Sequence, residues 1–483
     1  MPLIQQWELR AAFARRLSTM YGSEVPAYNT LVEVSQSVND DVIAEMGSAA
    51  ERLGSSERVT AERHGAIRVG TPEEMSRVAR IFGAMGMFPV GFYDLREAAV
   101  SSVPVVSTAF RPIDSTELAR NPFRVFTSML VPSDRRFFTA DLQQRLENFL
   151  RRRSLFDPAL LLLADRAEKY CGLEESDAEA FLTLATRAFE LSTEAVDRAW
   201  YEELEEVSSV AADIGGVSST HINHLTPRVL DIDELYHRMQ LRGIEMIDTI
   251  QGPPRWNGPD LLLRQTSFRA LAEPRVFREP DGTIAEDSLR VRFGEVEARG
   301  IAATQHGRQV YDRLSAEVEE KVRQADTDGA ISASERTAIA ASVWNRTVPA
   351  SEYGLALHDL AYFTFTPTRR VANGSRPGGS LPDLIEQGWL TPEPIVYEDF
   401  LPKSAAGIFQ SNLTSEGRRD LSVTQSDDNI DAHWLAGVLQ RQLHDPYELY
   451  AGIRRASLDA AARQLDLPTI SESPTAPTTG VTL

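Results

Sequence analysis

The sequence predicts an α+β protein, and three observations carry that prediction. Apolar residues recur at helical spacing through the first 55 residues, as in Trp7, Leu9, Phe13, Leu17 and Tyr21. A strongly helical, Ala-, Leu- and Glu-rich stretch runs from Phe138 to Glu206, with no Gly or Pro between Leu173 and Gly215. Two strand–helix units, starting near His64 and His224, repeat one another.

Taken in order, residues 1–55 read as N-terminal helices, with Leu31, Val34, Val38 and Ile43 opening a second amphipathic stripe. Residues 56–135 form a first site module and 136–215 a helical insertion. Residues 216–330 form a second module, and 331–469 C-terminal helices with a segment that lines the pocket. Residues 470–483, dominated by Ser, Thr, Pro and Gly, are expected to be a disordered tail.

The repeat is specific. Arg63-His64-Gly65-Ala66-Ile67-Arg68-Val69 and Asn223-His224-Leu225-Thr226-Pro227-Arg228-Val229 both carry His, three residues, Arg, then Val. Side chains alternate along a strand, so each unit turns its His and Arg to one face and aliphatic groups to the other. A helix follows each. Thr71-Pro72-Glu73-Glu74 provides an N-cap, a first-turn proline and a capping-box glutamate, and Gly86 ends the helix. Asp231 or Asp233 caps the second, and Gly243 ends it. Apolar strands are expected next, at Phe88 to Phe92 and at Ile244 to Ile250.

A further strand, Leu289 to Gly300, is expected to show Leu289, Val291, Phe293, Glu295 and Glu297 on one face. Two histidines and a carboxylate on separate strands leave three positions open on an octahedral metal, the arrangement of non-haem Fe(II) oxygenases. His224 is preferred over His221 because it has an Arg at the same offset as His64. Alternation alone leaves Glu295 and Glu297 both open. Arg68 and Arg228 suit bidentate carboxylate binding, and Gln265, on an apolar strand, is a buried amide in need of partners.

Composition narrows the function. With 50 Lys+Arg against 70 Asp+Glu, the formal net charge is −20, which works against nucleic-acid binding. The apolar run Ala159 to Ala164 is far short of the ~20 residues a membrane span needs. The N-terminus lacks a secretion signal pattern, and the lone Cys171, expected to be a packing residue, excludes an intrachain disulfide; a cytoplasmic location is expected.

Three segments, Glu62 to Arg68, His221 to Arg228 and Phe293 to Gly300, resemble the 2-oxoadipate dioxygenase/decarboxylase family, also called 2-hydroxyglutarate synthases. Asn121 to Ser128, Leu263 to Phe268 and Leu401 to Phe409 fit the same family, so the likeness spans nearly the whole chain apart from the tail. The resemblance implies a vicinal-oxygen-chelate-like fold: paired βαβββ modules forming a curved sheet around one metal, with large helical insertions. It implies His64, His224 and Glu295 as ligands of Fe(II). Phe293-Gly294-Glu295-Val296-Glu297-Ala298-Arg299 is also similar to the segment around the iron-binding Glu of hydroxyphenylpyruvate dioxygenases, which favours Glu295. Arg68 would hold the far carboxylate of the substrate. Ser404 would line the pocket beside Lys403, and Arg228 and Gln265 are further candidate substrate contacts. The implied reaction is oxidative decarboxylation of 2-oxoadipate with O2 to 2-hydroxyglutarate and CO2, in lysine degradation. The competing readings are a metal-dependent lyase or isomerase with Glu297 as base, and a non-catalytic 2-oxo acid binder.

Overall fold

The computed structural model describes residues 3–97, 102–290, 292–326, 331–368, 377–401 and 430–472. Its strands, in chain order, are β1 (Ile4–Gln5), β2 (Arg63–Val69), β3 (Phe88–Asp94), β4 (Val105–Arg111), β5 (Arg124–Leu130), β6 (Gly172–Leu173) and β7 (Val196–Asp197). Then come β8 (Ile222–Pro227), β9 (Leu263–Ser267), β10 (Glu273–Arg278), β11 (Ile284–Leu289), β12 (Glu295–Arg299), β13 (Phe363–Pro367) and β14 (Leu390–Pro394). The mixed α+β class follows directly.

The two repeats build the same strand pattern. In the first, β2 leads through the helix Pro72–Gly83 into β3, β4 and β5, and the strands lie in the order β3-β4-β5-β2. The first strand thus runs parallel beside the fourth. In the second, β8 leads through the helix Ile232–Leu241 to an edge segment, then β9 and β12. Val229 N donates to Glu297 O at 2.8 Å, and Arg228 and Glu297 form a parallel bridge, so first lies beside fourth again. β12 pairs antiparallel with β9, and β9 with the edge segment through Met246–Phe268 and Gln251–Gln265. The units join where β2 pairs antiparallel with β8.

Helix starts follow the local chemistry. Thr71 Oγ1 accepts from Glu74 N, and Asp231 accepts from the amides of Asp233 and Glu234. Glu74 closes onto Gly70 N at 2.6 Å rather than onto its own cap, because it also takes Arg153. Met75, Val78, Ala79 and Phe82 then pack on Ile67, Val69, Val106 and Phe110, joined by Leu9 and Phe13 of the N-terminal helix Gln6–Glu24. Burial of each such large side chain contributes roughly 1.5–3 kcal/mol. One face of the sheet is therefore committed to core. The opposite face carries the polar residues. It is covered by the insertion (helices Ala140–Arg152, Arg198–Glu205 and Ser209–Gly215) and met by the stretch Glu398–Phe400 of the C-terminal body.

Four expectations need correction. Residues 244–250 are not a regular strand, since a bend at Asp248–Thr249 interrupts their pairing with β9. Residues 289–300 are not one strand: Leu289 ends the hairpin β10–β11, and β12 begins only at Glu295. Cys171 is exposed at the left-handed C-cap of the helix Pro158–Tyr170, not packed. The start of the expected tail is docked, with Ser471 O accepting from Leu381 N at 2.7 Å; residues 473–483 lie outside the described residues. No helix among the described residues is long and apolar enough to cross a membrane.

Candidate metal centre

The strand order explains how distant residues meet. Because first and fourth strands are neighbours in each unit and the units join through their first strands, β2, β8 and β12 are consecutive in the sheet. Ala66 pairs with His224 and His64 with Thr226, which puts the two histidines on one face, offset by two residues. Their rings stand 5.4 Å apart, nearly perpendicular. Glu295, the first residue of β12, reaches both. Its Oε2 is 3.2 Å from His224 Nε2 and its Oε1 is 3.9 Å from His64 Nε2. One donor atom from each residue lies within 4.8 Å of the others, and all three residues are buried.

The backbone around the cluster is tied down. Tyr21 Oη, from the N-terminal helix, donates to both Asn223 O (3.1 Å) and Phe293 O (2.9 Å), so one hydroxyl clasps the segments carrying His224 and Glu295. Gly294 is required by packing, since a Cβ there would lie 1.8 Å from the Phe268 ring. Phe400 stands edge-on to His64 at 5.0 Å, and Phe293 lies 5.3 Å from the His224 ring.

Electrostatics separate the two glutamates that alternation could not. Glu297 takes two of the three guanidinium nitrogens of Arg299 (Nε 2.7 Å, Nη2 2.8 Å), Arg124 Nη1 at 3.3 Å, and lies 2.9 Å from His64 Nδ1. Burial opposes its ionisation, but Arg299, His64 and Arg124 outweigh burial and hold its carboxyl down to about 2. Glu295 has no guanidinium against it among the described residues. Burial, reinforced by Glu297, pushes its carboxyl well above the usual range. Burial likewise lowers His64 and holds His224 well below an ordinary imidazole. Two neutral imidazoles and a buried carboxyl with no guanidinium against it among the described residues make a donor set in which a cation would favour the ionised carboxylate that burial alone disfavours. Bonds of 2.0–2.2 Å at right angles place donors about 3 Å apart; Glu295 lies 3.2 Å from His224 Nε2 and 3.9 Å from His64 Nε2, and all three donors lie within 4.8 Å of one another. The donor set therefore fits a divalent metal, with positions left open.

Arg68 lies further along the same face of β2 and pairs with Asp213 of the helix Ser209–Gly215. Asp213 also accepts from Asn223 Nδ2 at 2.8 Å and lies 3.4 Å from His221 Nε2. His221 thus belongs to this corner, away from the three-donor cluster, and burial lowers it to about 4. Gln265 pairs directly opposite Glu297 across the β9–β12 ladder, on the same face, and is buried. Arg228 is different. Its Nη1 binds Glu62 at 2.8 Å and its Nη2 the carbonyl of Leu53 at 3.0 Å. Both terminal nitrogens thus have partners within the fold. Lys403 and Ser404 lie outside the described residues.

The pairing of Glu297 with Arg299 is open in the sequence as a structural ion pair, and the structure has it; sequence reasoning missed Asp213, which pairs with Arg68, Asn223, which donates to Asp213, and the buried network of Glu62, Arg124 and Glu398 behind Glu297. Glu62 immediately precedes the first repeat, and its place at the start of that strand is the only local signal.

Comparison with known proteins converges on one family. A family profile described as 2-oxoadipate dioxygenase/decarboxylase matches residues 13–412. A protein of that name from Mycobacterium tuberculosis is 54% identical over 447 residues, covering 92% of this chain and 96% of that protein. Its namesake from Escherichia coli is 40% identical over 454 residues, with 92% and 95% covered. The crystal structure of the hydroxyglutarate synthase from Pseudomonas putida in complex with 2-oxoadipate superposes with a TM-score of 0.81 at 38% identity, covering 96% of this chain and 99% of that one. The chain belongs to the 2-oxoadipate dioxygenase/decarboxylase family.

Proposed function

We propose that this protein decarboxylates 2-oxoadipate with O2, giving 2-hydroxyglutarate and CO2, at an Fe(II) ion held by His64, His224 and Glu295. The reaction balances: one oxygen atom enters the new carboxylate and the other the hydroxyl. The observation that carries the reading is the buried, uncompensated cluster of two imidazoles and a carboxylate in a chain of this family. The duplicated strand order, with the donors on adjoining first and fourth strands, supports a vicinal-oxygen-chelate-type fold.

When bound, Fe(II) would supply open positions for a chelating 2-oxo acid and for O2. The chain's own residues do the rest. Arg68, on the same face, holds the far carboxylate of the substrate, while Asp213, itself held by Asn223, fixes the guanidinium. Alignment of this kind contributes several powers of ten in rate. Gln265 lines the site opposite Glu297, and Ser404 completes the pocket as the resemblance implies. Phe293 and Phe400 present apolar surface beside the two imidazoles and exclude water. Glu297 is already bound by Arg299, Arg124 and His64, which removes it as the free base a lyase or isomerase would need.

The test is to incubate Fe(II)-loaded protein with 2-oxoadipate and measure O2 uptake, CO2 and product mass. Equimolar O2 consumed, CO2 and 2-hydroxyglutarate are expected. Product formed without O2, or binding of 2-oxoadipate without turnover, would overturn the reading.

A further inference from the structure

Glu297 stands two residues beyond Glu295 on the same face of β12, yet its surroundings are opposite in character. Its Oε2 is shared between Arg299 Nη2 (2.8 Å) and His64 Nδ1 (2.9 Å). A glutamate serving only to neutralise Arg299 would have no reason to bring that oxygen so close to a ring nitrogen. The clamp is anchored in turn. Arg299 Nη1 donates to the carbonyls of Tyr397 (2.7 Å) and Asp399 (3.1 Å). Arg124, which contacts the other oxygen of Glu297, also donates to Glu62 (2.8 Å) and Glu398 (2.5 Å). The two imidazoles are not equivalent. Nδ1 of both rings is buried and makes no well-directed hydrogen bond among the described residues, but that of His64 has a carboxylate oxygen, Glu297 Oε2, 2.9 Å away.

We infer that Glu297 is a positioning residue: it accepts the Nδ1 proton of His64, fixing the tautomer and ring orientation that leave Nε2 bare for the metal. The inference rests on the reading of His64 as a ligand. The physics is that of a carboxylate-backed histidine. The anion makes the imidazole a stronger donor and the hydrogen bond stops the ring from turning, and loss of such a partner costs about 10–100-fold in metal affinity. Arg299 and Arg124 hold the two oxygens of Glu297 in place, and the main-chain anchors of Arg299 keep the whole clamp still. His64 is thereby the fixed ligand, and His224, without such a partner, the one free to adjust.

The test uses metal-free full-length protein and Co(II) as probe, without substrate. Competitive titration should show one Co(II) per chain in the wild type and the same stoichiometry in Glu297→Gln, with affinity about 10–100-fold lower. Glu297→Asp, which keeps the charge for Arg299 but withdraws the carboxylate from His64, should show a similar fall and decides the matter if the Gln variant does not fold. Proton NMR of the Co(II) form adds a readout that general structural damage would not mimic. The wild type should show one slowly exchanging, paramagnetically shifted imidazole N–H and one fast, and the slow signal should become fast in both variants. Wild-type affinity and unchanged exchange in the variants would overturn the inference alone. A wild type that fails to bind Co(II) would overturn the metal reading itself.

Discussion

Replacing Arg68 separates a structural duty from a substrate-binding one, because the structure gives it a partner that can be removed independently. Arg68→Ala leaves Asp213 buried without its guanidinium, and breaking a buried pair from one side costs about 3–5 kcal/mol of stability. The double variant Arg68→Ala/Asp213→Asn removes both charges. The amide introduced by the second substitution can still pair with Asn223 and His221, so most of that stability should return. Activity should not. If Arg68 binds the far carboxylate of 2-oxoadipate, its loss removes about 2–5 kcal/mol of binding, a fall of about 30-fold to several thousand-fold in kcat/KM. That fall should be common to both variants. Urea unfolding, steady-state O2 uptake and metal content form the assay, with metal content staying near wild type throughout. Recovery of kcat/KM along with stability in the double variant would refute the argument and make Arg68 a counter-ion for Asp213.

Two further predictions concern the scaffold. Tyr21→Phe removes the hydroxyl that bridges Asn223 O and Phe293 O. It should cost about 1–3 kcal/mol in urea unfolding and weaken Co(II) binding, because the two ligand-bearing segments lose their shared tether. His221, lowered by burial from 6.5 to about 4, is neutral in the fold, so its contribution is intact above pH 6.5. It is lost as pH falls toward 4, when the unfolded chain takes up a proton the fold refuses. The depression corresponds to about 3 kcal/mol, and His221→Asn should flatten stability against pH over that window in metal-free protein.

Much of the candidate site was legible in the sequence because a repeat was. The matching His–x3–Arg–Val strings imply two like units, and like units paired through their first strands bring His64 and His224 together whatever their separation along the chain. The same symmetry does not extend to the partners of the two arginines. Because β2 and β8 run antiparallel, equal offsets lead in opposite directions: Arg68 ends beside Asp213, and Arg228 beside Glu62. Glu295 and Glu297 share a face, so strand periodicity could not rank them. Arg124 from β5 and Arg299 give the two different surroundings, through a contact that spans 173 residues in the case of Arg124. The apparent single strand from Leu289 to Gly300 illustrates a different failure. Alternating apolar residues continued across two strands that belong to different sheets, and nothing local marks the break.

The central claim is that one divalent ion joins His64, His224 and Glu295. Anomalous diffraction at the iron edge, from crystals of Fe(II)-loaded protein grown without O2, tests it directly. A single peak is expected, about 2.0–2.2 Å from Nε2 of each histidine and from a carboxylate oxygen of Glu295. A peak elsewhere, or one bonded to Glu297 in place of Glu295, would contradict it.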